Sequence, residues 1–127
     1  KAAHLENLKA RCAKIPPAVC GYYGVCGDSM AAGACASEML GANYLSGGSW
    51  QRVNELTSRT QAAIAASCKR GPRCCKRTGR LSIEAAADFA RRELGVDMPA
   101  SRPRCEYPAK NRECIGRRCP FFSPNGD

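Results

Sequence analysis

The sequence predicts a mostly α-helical fold, a small disulfide-rich helical domain with about four helices and an irregular cysteine-anchored C-terminal tail. Three observations carry this expectation. Amphipathic stretches with caps and breakers recur from Ala2 to Gly95. Alternating β-branched runs are scarce. Ten cysteines are scattered through 127 residues that include only three Phe and one Trp, so a lean core is read as stapled by five disulfides. The chain reads as one domain, 1–127.

Residues 2–14 place Leu5, Leu8, Cys12 and then Ile15 on one helical face, and Pro16-Pro17 end the run. The only histidine, His4, lies in this helix and reads as a solvated side chain. Residues 16–27 read as a tethered loop or very short strand, held by Cys20 and Cys26. Tyr22 and Tyr23, flanked by Gly21 and Gly24, read either as an exposed pair for a sugar ring or peptide, or as one packed and one exposed tyrosine. The packed reading is preferred.

A second helix is expected over 29–40, capped by Asp28 or Ser29 and closed by a left-handed Gly41. Its face is made of Met30, Ala34, Cys35, Met39 and Leu40. The GACAS segment lacks the glycine spacing of a nucleophile elbow, so Cys35 reads as structural. Residues 42–48 form a flexible connection. Across it Tyr44 and Trp50 read as a ligand rim or as part of a hydrophobic staple at the next helix.

The rest of the chain is expected to hang on residues 49–75. Ser49 is the N-cap of a central helix over 50–68, with Trp50, Val53, Leu56, Thr60 and Ile64 facing inward. Gly71-Pro72 break it, leaving Cys68, Cys74 and Cys75 as a disulfide hub at its end. The following loop carries Lys69, Arg70, Arg73, Lys76, Arg77 and Arg80 with no acid among them. This is the densest charge in the chain and the expected partner-binding surface. The last helix is expected over 83–94, with Ser82 as cap, Ile83, Ala86, Ala87, Ala90 and Leu94 inward, and Phe89 off to the side. Five prolines break up the tail after residue 95, and Cys105, Cys114 and Cys119 tie it to the body.

Function follows from charge and exclusion. Five disulfides imply an oxidising compartment, and a start at Lys1 reads as a mature secreted form with its signal peptide removed. No run of 18 apolar residues exists, so no transmembrane helix is expected. The net charge of +9 favours an anionic partner, either an extracellular protein or an anionic glycan. A secreted setting argues against a dedicated reader of nucleic acid. Oxidised thiols and one histidine leave no metal site and no cofactor. The chain therefore reads as a secreted basic binding protein, effector-like, toxin-like or defence-like, and more as a binder than an enzyme. The alternative is a small cofactor-free glycoside hydrolase acting on a cell-wall polymer, with Glu38 as acid, its pKa raised by Ala34, Met39 and Leu40, and Glu55 or Asp28 as base or nucleophile.

Overall fold

The computed structural model describes residues 1–67, 74–99 and 101–124. Among them the chain folds into five α-helices, α1 (Ala2–Cys12), α2 (Val19–Tyr23), α3 (Gly27–Leu40), α4 (Gly48–Ser67) and α5 (Cys74–Leu94), and contains no β-sheet. A 3₁₀ turn at Gly116–Arg118 is the one short helix of the tail. The expected α-helical class and its amphipathic segments are present. Their roles are redistributed.

The hub is α3, which packs against α1, α4 and α5. The stretch 49–75 was expected to fill that place. Small residues explain the exchange. Ser29, Ala32, Gly33 and Ala36 form the buried face of α3, so neighbouring helices approach it closely. Its N-terminus is at Gly27, earlier than Asp28 or Ser29 as caps would place it. The N-cap is Cys26, whose N–H donates to Gln61 Oε1 of α4 at 2.9 Å. Ser29 is buried instead of capping, with its hydroxyl 2.7 Å from Cys26 O and 3.0 Å from Gln61 Oε1. Gly41 closes the helix at φ 59°, as its position predicts.

The core is a cluster of Ala32, Ala36, Leu56 and Phe89, with Val53, Leu40 and Ala85 against it. Leu56, Thr60 and Ile64 of α4 are buried as the periodicity predicts, whereas Trp50 remains half exposed. Residues 16–27 hold no strand. Ala18, in a left-handed conformation, turns the chain into α2. Tyr22 and Tyr23 are both exposed, as are Tyr44 and Leu45, so neither tyrosine of the α2 pair packs inward.

Helix α5 departs furthest from expectation. It begins at Cys74 rather than 83, so Lys76, Arg77 and Arg80 lie on a helix, not in a loop. Ser82 is not a cap but a buried mid-helix residue whose hydroxyl has no hydrogen-bond partner. The buried stripe runs Thr78, Ser82, Phe89 and, as expected, Ala90, with Ala85 half-buried beside it, and Ile83 faces solvent. In the tail, Cys105 N–H donates to Phe121 O at 2.7 Å and closes the segment on itself, while the buried Phe121 ring lies 5.4 Å from the Arg80 guanidinium of α5 and ties it to the body.

No disulfide joins the nine described cysteines, Cys12, Cys20, Cys26, Cys35, Cys74, Cys75, Cys105, Cys114 and Cys119, all of which are free thiols. This overturns the disulfide-rich reading. An even cysteine count does not distinguish bonded pairs from grouped thiols, and seven of these nine thiols line two cavities. The lean core is held by close helix packing, with no staple required. The inference to an oxidising compartment rested on those bonds and loses that support. Cys68 and the expected hub around it lie outside the described residues.

Candidate functional site

Helix α5 presents its first two turns to two different cavities. On one side Cys74, Cys75 and Thr78 face a cavity of about 370 Å³. On another, Lys76, Arg77 and Arg80 face a cavity of about 330 Å³ closed by the tail. The divergence follows from 3.6 residues per turn, which sends 74, 75 and 78 one way and 76, 77 and 80 another.

The tail cavity is walled by those three cations and one carboxylate, Glu113, together with Asn111, Cys105, Cys114, Cys119, Tyr107, Ile115 and Phe121, so three positive groups face one negative. The Arg80 guanidinium stacks over the Phe121 ring at 5.4 Å, which fixes the charge at the edge of an apolar floor. Lys110 similarly stands 5.5 Å from the Tyr107 ring. Arg77 is buried. The loop from Cys114 turns back at Gly116, whose φ is 58° and whose N–H donates to Cys114 Sγ at 3.4 Å. Volume and lining match a ligand pocket, a mainly apolar cleft with a few charged groups. Thus the three described members of the expected basic surface, Lys76, Arg77 and Arg80, are brought together. Lys69, Arg70 and Arg73 lie outside the described residues.

The other cavity gathers Cys20 from α2, Cys26 at the cap of α3, and Cys74 and Cys75 from α5, beside Asp28 and Gln61. The Thr78 hydroxyl donates to Asp28 Oδ2, and Cys26 Sγ lies 4.0 Å from the same oxygen. The charge of the neighbouring Cys74 sulfur is the main cause that pushes the Cys75 thiol above its ordinary pKa, followed by their hydrogen bond, burial, and the charges of Asp28 and Cys26. Cys35 is also pushed up, by burial first and then by the charge of Cys12. Sequence reasoning listed every one of these cysteines but treated them as structural half-bonds. The grouping depends on tertiary packing, and no local spacing encodes it.

The carboxylates of the hydrolase alternative fall in three places. Glu38 lies against α1, where Oε1 is 2.9 Å from His4 Nδ1 and 3.2 Å from Asn7 Nδ2, and Oε2 is 2.8 Å from Arg11. The His4 hydrogen bond first, then Asn7 and the Arg11 charge, hold its pKa below the ordinary value. Its apolar neighbours were expected to raise it, and a general acid needs that direction. Glu55 accepts from Gln51 at 3.3 Å on α4, and Asp28 serves the thiol cavity. No described cavity contains two of the three. The rim candidates Tyr22, Tyr23, Tyr44 and Trp50 are exposed and line none of the described cavities.

The Glu38 contacts give a pH prediction. The folded pKa lies below the unfolded one, so this stabilisation is full above the usual 4.5 and is lost as pH falls through the folded value. The Glu38→Gln variant should melt below the wild type at about pH 6 and converge with it towards about pH 3. Parallel thermal melts across that range check this, and a difference independent of pH would contradict it.

No curated protein and no solved structure matches the chain. Among the described residues no helix is long and apolar enough to cross a membrane. Residues 1–122 match a family of unknown function, DUF5714, and the chain belongs to that family.

Proposed function

We propose that this chain is a binding protein for a small anionic ligand with an apolar body, seated in the cavity between α5 and the tail. The observation that carries the reading is the convergence of Lys76, Arg77 and Arg80 on one cavity floored by Phe121 and Ile115. Cations held at the edge of a low-dielectric floor attract an anion more strongly than the same cations spread over a solvated surface. Arginine suits carboxylate, sulfate or phosphate groups because its planar fork donates two hydrogen bonds in fixed geometry. The aromatic and aliphatic wall takes the ligand's body. The same chemistry would receive one acidic unit of an anionic glycan or an acidic side chain of a protein partner, which keeps the net charge of +9 as a means of attraction.

The test is a thermal-shift and calorimetric panel of aryl and alkyl carboxylates, sulfonates and phosphates, each beside its uncharged amide or alcohol analogue. At least one anionic class should bind, its neutral analogue should not, and Arg80→Ala should weaken it by roughly tenfold, the loss of one charge-assisted contact. Heparin fragments and an acidic peptide extend the panel to polymeric partners. Equal binding of neutral analogues, no binding of any probe, or full affinity in Arg80→Ala would overturn the reading.

A further inference from the structure

The cavity of about 370 Å³ on the other side of α5 has the opposite electrostatic character. Its described wall contains four thiols and the Asp28 carboxylate, and no Lys or Arg. Groups that would all carry negative charge when ionised have been brought together from three helices. The arrangement is also braced. Gln61 accepts from Cys26 N–H at 2.9 Å, and Thr78 ties Asp28 to the start of α5. Its rim is open, since Cys20, Cys74 and Cys75 are exposed residues, so a centre can be loaded from solvent.

Four thiols on the wall of one cavity of about 370 Å³ narrow the ligand class. Among the described residues no three His, Cys, Asp or Glu side chains stand close enough to hold a single metal ion. A tetrahedral zinc site brings its sulfurs to about 3.8 Å from one another, given a Zn–S bond of about 2.3 Å. An iron–sulfur cluster is ligated by thiolates that stand farther apart, because irons and sulfides occupy the space between them. We propose that this cavity seats an iron–sulfur cluster ligated by Cys20, Cys26, Cys74 and Cys75. Each thiol binds one iron through its sulfur and releases its proton to solvent, and no oxidation or reduction accompanies ligation of a preformed cluster. The assembled centre is anionic, and the chain's net charge of +9 offsets it. Asp28 stays outside the ligand set, held by Thr78. This proposal is independent of the anion site, which uses other residues.

The experiment is anaerobic purification of the full chain, reconstitution with ferric iron, sulfide and excess dithiothreitol, which supplies the two electrons that four ferric ions need to form one cubane, and desalting. Iron and acid-labile sulfide are then measured together with visible absorption and the electron paramagnetic resonance spectrum after dithionite reduction. About four irons and four sulfides per chain are expected, the content of a cubane. Cys26→Ser and Cys75→Ser should lose most of both, while Cys35→Ser and Cys114→Ser, outside this cavity, should keep them. Circular dichroism verifies folding, and if Cys26→Ser unfolds, Cys20→Ser at the rim decides. Iron without sulfide, zinc as the only metal retained, no bound iron at all, or full cluster content in folded Cys20→Ser and Cys75→Ser variants would each overturn the assignment.

Discussion

Phe89→Ala should lower the unfolding free energy by about 3–5 kcal/mol, the usual cost of removing a buried aromatic ring. Phe89 is 3% exposed and is the largest member of the cluster formed with Ala32, Ala36 and Leu56. The other members are small, so little side-chain volume stands ready to refill the space. A domain of this size typically has about 5–15 kcal/mol in all, so the variant should stand near the threshold of folding. The neighbouring Ile83→Ala, at a position 67% exposed, should cost less than about 1 kcal/mol. Urea titrations of the two variants check the contrast. Comparable losses would mean that the buried face of α5 has been assigned to the wrong stripe.

Gly33→Ala should destabilise by about 1–3 kcal/mol, the cost of overpacking a close helix contact. A Cβ at this position would overlap the Thr57 hydroxyl of α4, whose oxygen already donates to Val53 O at 3.1 Å. Gly21→Ala supplies the control. Nothing lies within 4 Å of a Cβ at Gly21, and its backbone is not in the left-handed region. The substitution there should be neutral or stabilising by up to about 1 kcal/mol. Thermal melts of the pair should move in opposite directions or, at the least, differ clearly. A neutral Gly33→Ala would contradict the close α3–α4 approach on which the hub rests.

The helices were legible in the sequence because their caps, breakers and apolar spacing are local. Gly41 and the Leu56–Thr60–Ile64 stripe illustrate this. The phase of α5 was not. Its alanines lie around the helix and cannot set a direction, and the buried stripe contains Thr78, which lies before the expected start of the helix, and Ser82, which reads as its cap. Thr78 is buried because its hydroxyl has Asp28 of α3 as a partner, a contact 50 residues away in sequence. The position of α3 at the centre was hidden for a related reason, since small residues carry little hydrophobic signal but permit the closest contacts. The basic residues stand out in the sequence, yet only the fold shows that Lys76, Arg77 and Arg80 share a cavity with the tail. The cysteines were read as bonded, whereas the nine described ones are free thiols. Number and spacing gave an even set, whereas the folded chain places seven of them on two cavity walls.

The state of the thiols is the claim on which the rest of this account depends, and intact-mass spectrometry reads it directly. The chain is purified anaerobically, freed of any bound metal with a chelator, unfolded in guanidinium without a reductant, and exposed to excess iodoacetamide. The account predicts at least nine alkyl groups per chain, one for each described free cysteine. An unlabelled mass that shifts only after reduction would show bonded cysteines and contradict both the grouped-thiol cavities and the site built on them.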